Sequence, residues 1–169
     1  MKNVLYVLAI ISSFISGGLF ISSILPPPRI VESSETQVCK IDDIKLLYLI
    51  NEERKSLDLH SLRYNDKLAM SAKFKLIDLT EKNYWDHVAP DGTDPWLFFE
   101  EAGYNYQEVG GSVGENLARD FCTEDEAFNT WKKSTKHYEN MMDPDFVDFG
   151  SSNNGVIIVN HFGVLDNER

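Results

Sequence analysis

Three short stretches hold the side chains best suited to move protons or grip a polar ligand. They are Asp86-His87-Val88-Ala89-Pro90-Asp91-Gly92, Gly114-Glu115-Asn116, and the run from Trp131 to Asn140, which contains Ser134 and His137. Imidazole titrates near neutral pH and a carboxylate accepts protons and hydrogen bonds, so acid–base chemistry would reside in His87, Glu115 and His137. Each lies among residues that punctuate a chain (Pro, Gly, Asn) or pack it (Trp, Tyr). Such contexts predict a preformed polar cleft, with Asn116, Ser134 and Asn140 beside the three.

Competing chemistry is less well supported. Gly110-x-Ser112-x-Gly114 fits the nucleophile-elbow pattern, but that motif needs a buried parallel strand before the serine and a helix after it. The chain lacks the room and the βα alternation, so Gly110-Gly111 reads as a turn. Ser134 is close enough to His137 to hydrogen-bond on a helical turn, yet it also suits a helix cap, and the cap is the expectation. His60, in an inter-helix loop, and His161, in a final strand, have no visible partner and read as structural or solvated.

These groups must be carried by a scaffold. Ile44, Leu47, Tyr48 and Asn51 fall at helical spacing, and Leu46, Leu49 and Ile50 widen the apolar face, which predicts a mostly buried helix over Ile41–Lys55. Asn65 or Asp66 caps a second helix, with Leu68, Ala72, Leu76 and Leu79 as its apolar stripe to about Asn83. Thr93-Asp94-Pro95 opens a short helix over Trp96–Ala102, and Gly103 stops it. Thr123 with Glu126 forms a capping box for a helix to about Lys133. Asn153-Asn154-Gly155 is a tight-turn signal between strands at Phe146–Ser151 and Val156–Phe162, with further strand material near Glu115. Helices first and a hairpin last give an α+β domain with helices on an antiparallel sheet.

The chain has 169 residues, 43% hydrophobic and 12% aromatic, enough for one domain with a real core. Its formal charge is −11, and residues 26–169 carry 15 basic against 27 acidic side chains. That surface repels phosphate backbones, which argues against nucleic-acid binding. Val4 to Leu25 is an uncharged, apolar run of the length a membrane helix needs, about 20 residues. It is longer than the usual core of a signal peptide, and no clear small-x-small site precedes Pro26, so residues 1–25 read as an uncleaved anchor, with a cleaved signal peptide as the alternative. Residues 26–38, opening on three prolines, read as an extended tether, and residues 39–169 as the extracytoplasmic domain. In an oxidising exterior Cys39 and Cys122 are able to pair, which would stabilise by about 3–4 kcal/mol; two buried free thiols are the alternative.

From Leu46 to Gly163 the chain resembles the bacterial branch of the CAP superfamily, the SCP-like domains related to cysteine-rich secretory proteins, antigen 5 and plant pathogenesis-related proteins. The resemblance rests on Leu49-Ile50-Asn51-Glu52-Glu53-Arg54, Leu62, Leu68 and Ala72, then His87 with Pro90-Asp91-Gly92, and Ala102-Gly103-Tyr104. It continues through Gly114-Glu115-Asn116, Trp131, His137, Asn140, Pro144, Phe146, Gly150 and Phe162-Gly163. It implies a three-layer α-β-α sandwich whose central cleft is lined by two histidines and one or two acidic residues. Carried over, these are His87, Glu115 and His137; animal and plant relatives commonly add a glutamate where this chain has Ser134. Two imidazoles and a carboxylate can hold a divalent ion such as zinc with an open position, or form a hydrogen-bonded network with no ion. The functions this implies are capture of a small ligand, lipid or peptide in the cleft, metal-assisted hydrolysis with Glu115 as general base, or a non-catalytic envelope role.

Overall fold

The computed structural model describes residues 39–165. The proposed anchor, tether and extreme C-terminus lie outside that range. Among the described residues no helix is long and apolar enough to cross a membrane.

Helix α1 spans Asp43–Ser56, capped by the Asp42 side chain. Its buried face is Leu46, Leu47, Ile50 and Arg54, whereas Ile44 and Tyr48, expected inside, are exposed. The helix is sided rather than wrapped. A buried guanidinium is tolerated because Arg54 donates to the carbonyls of His60, Met141, Asp143 and Phe146, so each of its three nitrogens keeps a partner on leaving water. Strand β1 is only Arg63–Tyr64, too short for any alternation to reveal it. Helix α2, Asp66–Glu81, starts at the Asn65 cap and buries Leu68, Ala72, Leu76 and Leu79 as their spacing predicts. Helix α3, Trp96–Glu101, ends before Gly103, whose φ of 75° is the left-handed conformation that stops a helix.

Strand β2 is Ser112–Arg119. Helix α4, Glu124–Lys133, opens on the Thr123–Glu126 capping box, with both reciprocal bonds formed. Helix α5 is Thr135–Met142. Strands β3, Asp148–Asn153, and β4, Ile157–Val164, form the expected hairpin, although Phe146 precedes the first strand and the second runs to Val164.

The sheet order is β1-β3-β4-β2. It is mixed rather than wholly antiparallel, because β1 pairs parallel with β3. Alternation along the strands divides the core. Ala118, Phe149, Ile158 and Phe162 pack with Leu46, Leu47, Ile50, Phe128 and Trp131 from α1 and α4. Leu117 and Val159 face Ala72, Leu76 and Leu79 of α2, with Leu68, Phe99 and Tyr104 clustered nearby. Helices α1, α4 and α5 therefore cover one face and α2 and α3 the other, giving three layers. Cys39 is joined to Cys122, their Cα atoms 4.6 Å apart, which ties the entry to α1 to the loop between β2 and α4.

A shared imidazole–carboxylate cleft

The site grows from one row across the sheet. Gly150, His161 and Glu115 are register neighbours on β3, β4 and β2. A Cβ on Gly150 would come within 2.1 Å of the Ala69 nitrogen, so the bare glycine lets α2 settle onto the sheet. That approach places Ser71 of α2 against His161, with Oγ 2.8 Å from Nδ1. His161 Nε2 lies 2.9 Å from Glu115 Oε2, and Glu115 Oε1 lies 2.6 Å from His87 Nδ1. Phe99 stacks on the His161 ring at 4.1 Å between centroids.

Protonation follows from this geometry. Burial, the largest influence on Glu115, opposes ionisation, but the hydrogen bonds from His161 and His87 outweigh it and the carboxyl ends below its usual range. Burial pushes His161 down despite the attraction of Glu115, leaving a neutral ring. An ionised carboxylate only accepts, so His161 Nε2–H and His87 Nδ1–H both donate to it, and the Ser71 hydroxyl donates to His161. The bond to Glu115 orients the His87 ring and leaves Nε2 as the nitrogen that faces a ligand. Its side chain is 50% exposed against 1% for Glu115.

A second anchor holds His87 from its backbone. The fully buried Lys75 donates to the Tyr84 hydroxyl (2.8 Å), the Asp86 carbonyl (2.9 Å) and the His87 carbonyl. Burial lowers its affinity for protons, while the charges of Glu115 and Asp78 oppose that loss. The Tyr84 hydroxyl passes its proton toward Asp78 at 2.6 Å.

The opposite wall comes from α5. His137 Nδ1 lies 2.8 Å from Ser134 Oγ, and burial, followed by the charge of His87, lowers the His137 pKa. Ser134 occupies the cap position as expected, but its hydroxyl bonds the ring of His137 rather than the helix backbone. Asn116 donates to the His137 carbonyl, and Asn140 donates to the Glu115 carbonyl and to Asn116 Oδ1. These two amides tie the helical layer to β2. The resulting cleft has a volume of about 490 Å³ and is lined chiefly by His87, Trp96, Val113, Glu115, Ser134 and His137.

Sequence reasoning thus named His87, Glu115 and His137, and missed His161, Ser71 and Lys75. His161, read from the sequence as structural or solvated with no visible partner, is structural: buried between Ser71 and Glu115, it is the inner support of Glu115. The expected metal set of His87, Glu115 and His137 involves the same atoms. Both Glu115 oxygens are bonded to imidazoles, the His137 ring is bonded to Ser134, and among the described residues no group of three His, Cys, Asp or Glu side chains is arranged to hold a metal ion. The nitrogens left on His87 and His137 are fewer than the three protein ligands of a catalytic zinc. Glu115 lies beneath His87 with its side chain almost wholly buried, which leaves the His87 ring as the more accessible of the two groups.

A three-layer domain with histidines from two layers meeting at a sheet edge defines the structural class. Residues 47–153 match the CAP model, the cysteine-rich secretory protein family, and the chain belongs to that family. It is 32% identical over 106 residues to the Bacillus subtilis protein YkwD, covering 63% of this chain and 40% of that one. It resembles an extracellular SCP-domain protein from Bacillus anthracis, with a TM-score of 0.65 and 21% identity over 71% of this chain and 39% of the other. It also resembles an outer surface protein from Borrelia burgdorferi, with a TM-score of 0.61 and 28% identity over 73% and 92% of the two chains. The chain therefore spans less than half the length of the two Bacillus proteins.

Proposed function

We propose that this chain is an extracytoplasmic binding domain, held at a membrane by residues 4–25, which captures a small ligand in the cleft between His87 and His137. One observation carries the reading: a half-exposed imidazole is held by a buried carboxylate 2.6 Å from its Nδ1 and faces a cleft with a second imidazole opposite. A ring fixed in this way loses little freedom when it binds, so its hydrogen bond costs less entropy than one from a mobile side chain. The extracellular and outer-surface relatives support the compartment. Titrating the full-length chain with fatty acids and with capped peptides is expected to shift the His87 and His137 ring signals in NMR, and the double change His87→Ala, His137→Ala is expected to abolish binding. If cleft signals stay fixed with every probe, the reading is wrong. Association of the chain with membranes through an alkaline carbonate wash tests the anchor.

The geometry also favours a second reading, hydrolysis, through the 2.6 Å contact that holds His87 Nδ1 on Glu115. In that arrangement Nε2 of His87 would take a proton from water or a hydroxyl, and Glu115 would stabilise the imidazolium formed. Ester or peptide turnover that persists in His87→Ala would rule this out.

A further inference from the structure

The cleft lies along a sheet edge, and the backbone there has a direction. Among the described residues strand β2 ends the sheet order, and one of its sides has no neighbouring strand there. The side-chain donors that reach that side show which residues point outward. Asn140 donates to the Glu115 carbonyl at 3.0 Å and Trp131 Nε1 donates to the Leu117 carbonyl at 3.0 Å, so the odd-numbered residues of β2 face away from β4. Val113 shares their parity. Its register partner Gly163 confirms this, because the Gly163 carbonyl is turned to the other side, where it accepts from the Val147 nitrogen. In an antiparallel ladder such a residue points its N–H and its C=O the same way, so Val113 presents one donor and one acceptor to the cleft it lines. Glu115 and Leu117 are buried, whereas Val113 is partly exposed. Toward the C-terminal end, Asn140 and Trp131 close the edge.

We propose that the cleft takes an extended peptide segment, which adds to β2 as a short strand by exchanging two backbone hydrogen bonds with Val113. This rests on the binding reading above and names its ligand class. A peptide backbone offers a donor and an acceptor at the spacing that an open rung requires, and an acyl chain offers neither. Side chains of an added strand alternate between faces. They would meet His87 and Trp96 on the side of α2 and α3, and Ser134 and His137 on the side of α5. The bonds of Asn140 and Trp131 stop the pairing beyond this rung, which limits the bound segment to a few residues. A one-rung match also explains how specificity arises: the backbone supplies the grip and the two histidine walls read the flanking side chains.

The test uses the 15N-labelled full-length chain and a pool of capped five-residue peptides with randomised side chains. The same pool with every backbone nitrogen methylated is the control. The unmodified pool is expected to slow hydrogen exchange at the Val113 amide and to bind about tenfold more tightly than the methylated pool, roughly the worth of one hydrogen bond. Val113→Pro, which lacks the outward N–H, is expected to show the same loss; because the peptide comparison leaves the protein untouched, a folding defect in this variant does not blur the outcome. Equal binding of the two pools, or peptide binding without a change at Val113, overturns strand addition. Movement of the cleft signals by decanoate alone overturns it while leaving a ligand-binding cleft intact. If neither peptides nor decanoate move those signals, both readings fall.

Discussion

Glu115 and His87 touch each other, yet removing them has different expected costs. Glu115 is buried, accepts from two imidazoles and faces the charge of buried Lys75, so Glu115→Ala is expected to lower unfolding free energy by about 3–5 kcal/mol in urea titrations. His87 is half-exposed and makes one such bond, and His87→Ala is expected to cost less than about 1.5 kcal/mol while abolishing ligand capture. Similar losses for the two would mean that the carboxylate is not the hub of the site. The visible members of this hub were legible in the sequence because each sits beside turn residues or a packing tryptophan. Its hidden members were not. His161 meets Glu115 only through the register of β2 against β4, strands separated by two helices and β3, and Lys75 reads as an ordinary polar position on an amphipathic helix until its partners are known.

At the level of elements, local signals and long-range contacts carry different weights. The Thr123 capping box is a local device on a partly exposed turn, and Thr123→Ala is expected to cost about 1 kcal/mol. Gly150→Ala would drive a methyl group into the backbone of α2 at Ala69 and Leu68 and is expected to cost about 3 kcal/mol or more. It is also expected to withdraw Ser71 from His161, which the His161 ring signals would report; unchanged signals would show that α2 does not depend on this close approach. The same contrast explains what the sequence disclosed. Caps, the Asn153-Asn154-Gly155 turn and the stripe of α2 are encoded within a few residues and were found. The two-residue β1 and the outward turn of Ile44 and Tyr48 depend on what packs against them, so no window of sequence contains the answer.

For the molecule as a whole, acid is the expected point of weakness. His137 and His161 have folded pKa values below the ordinary 6.5, so the unfolded chain binds protons first and stability begins to fall as pH drops below about 6.5. The Glu115 carboxyl is also lowered, so its contribution is complete above the ordinary 4.5 and is lost at lower pH. Thermal midpoints measured from pH 8 to pH 4 are expected to hold level, then decline in two stages; a midpoint that rises on acidification would contradict this assignment of charges. The bridge between Cys39 and Cys122 has a different, mechanical consequence. If the domain is tethered at its N-terminal side, any pull along that leash arrives at Cys39 and is shared at once with the end of β2, four positions short of α1. Load bypasses the first helix, which is spared from being peeled off turn by turn while the sulfur link is intact.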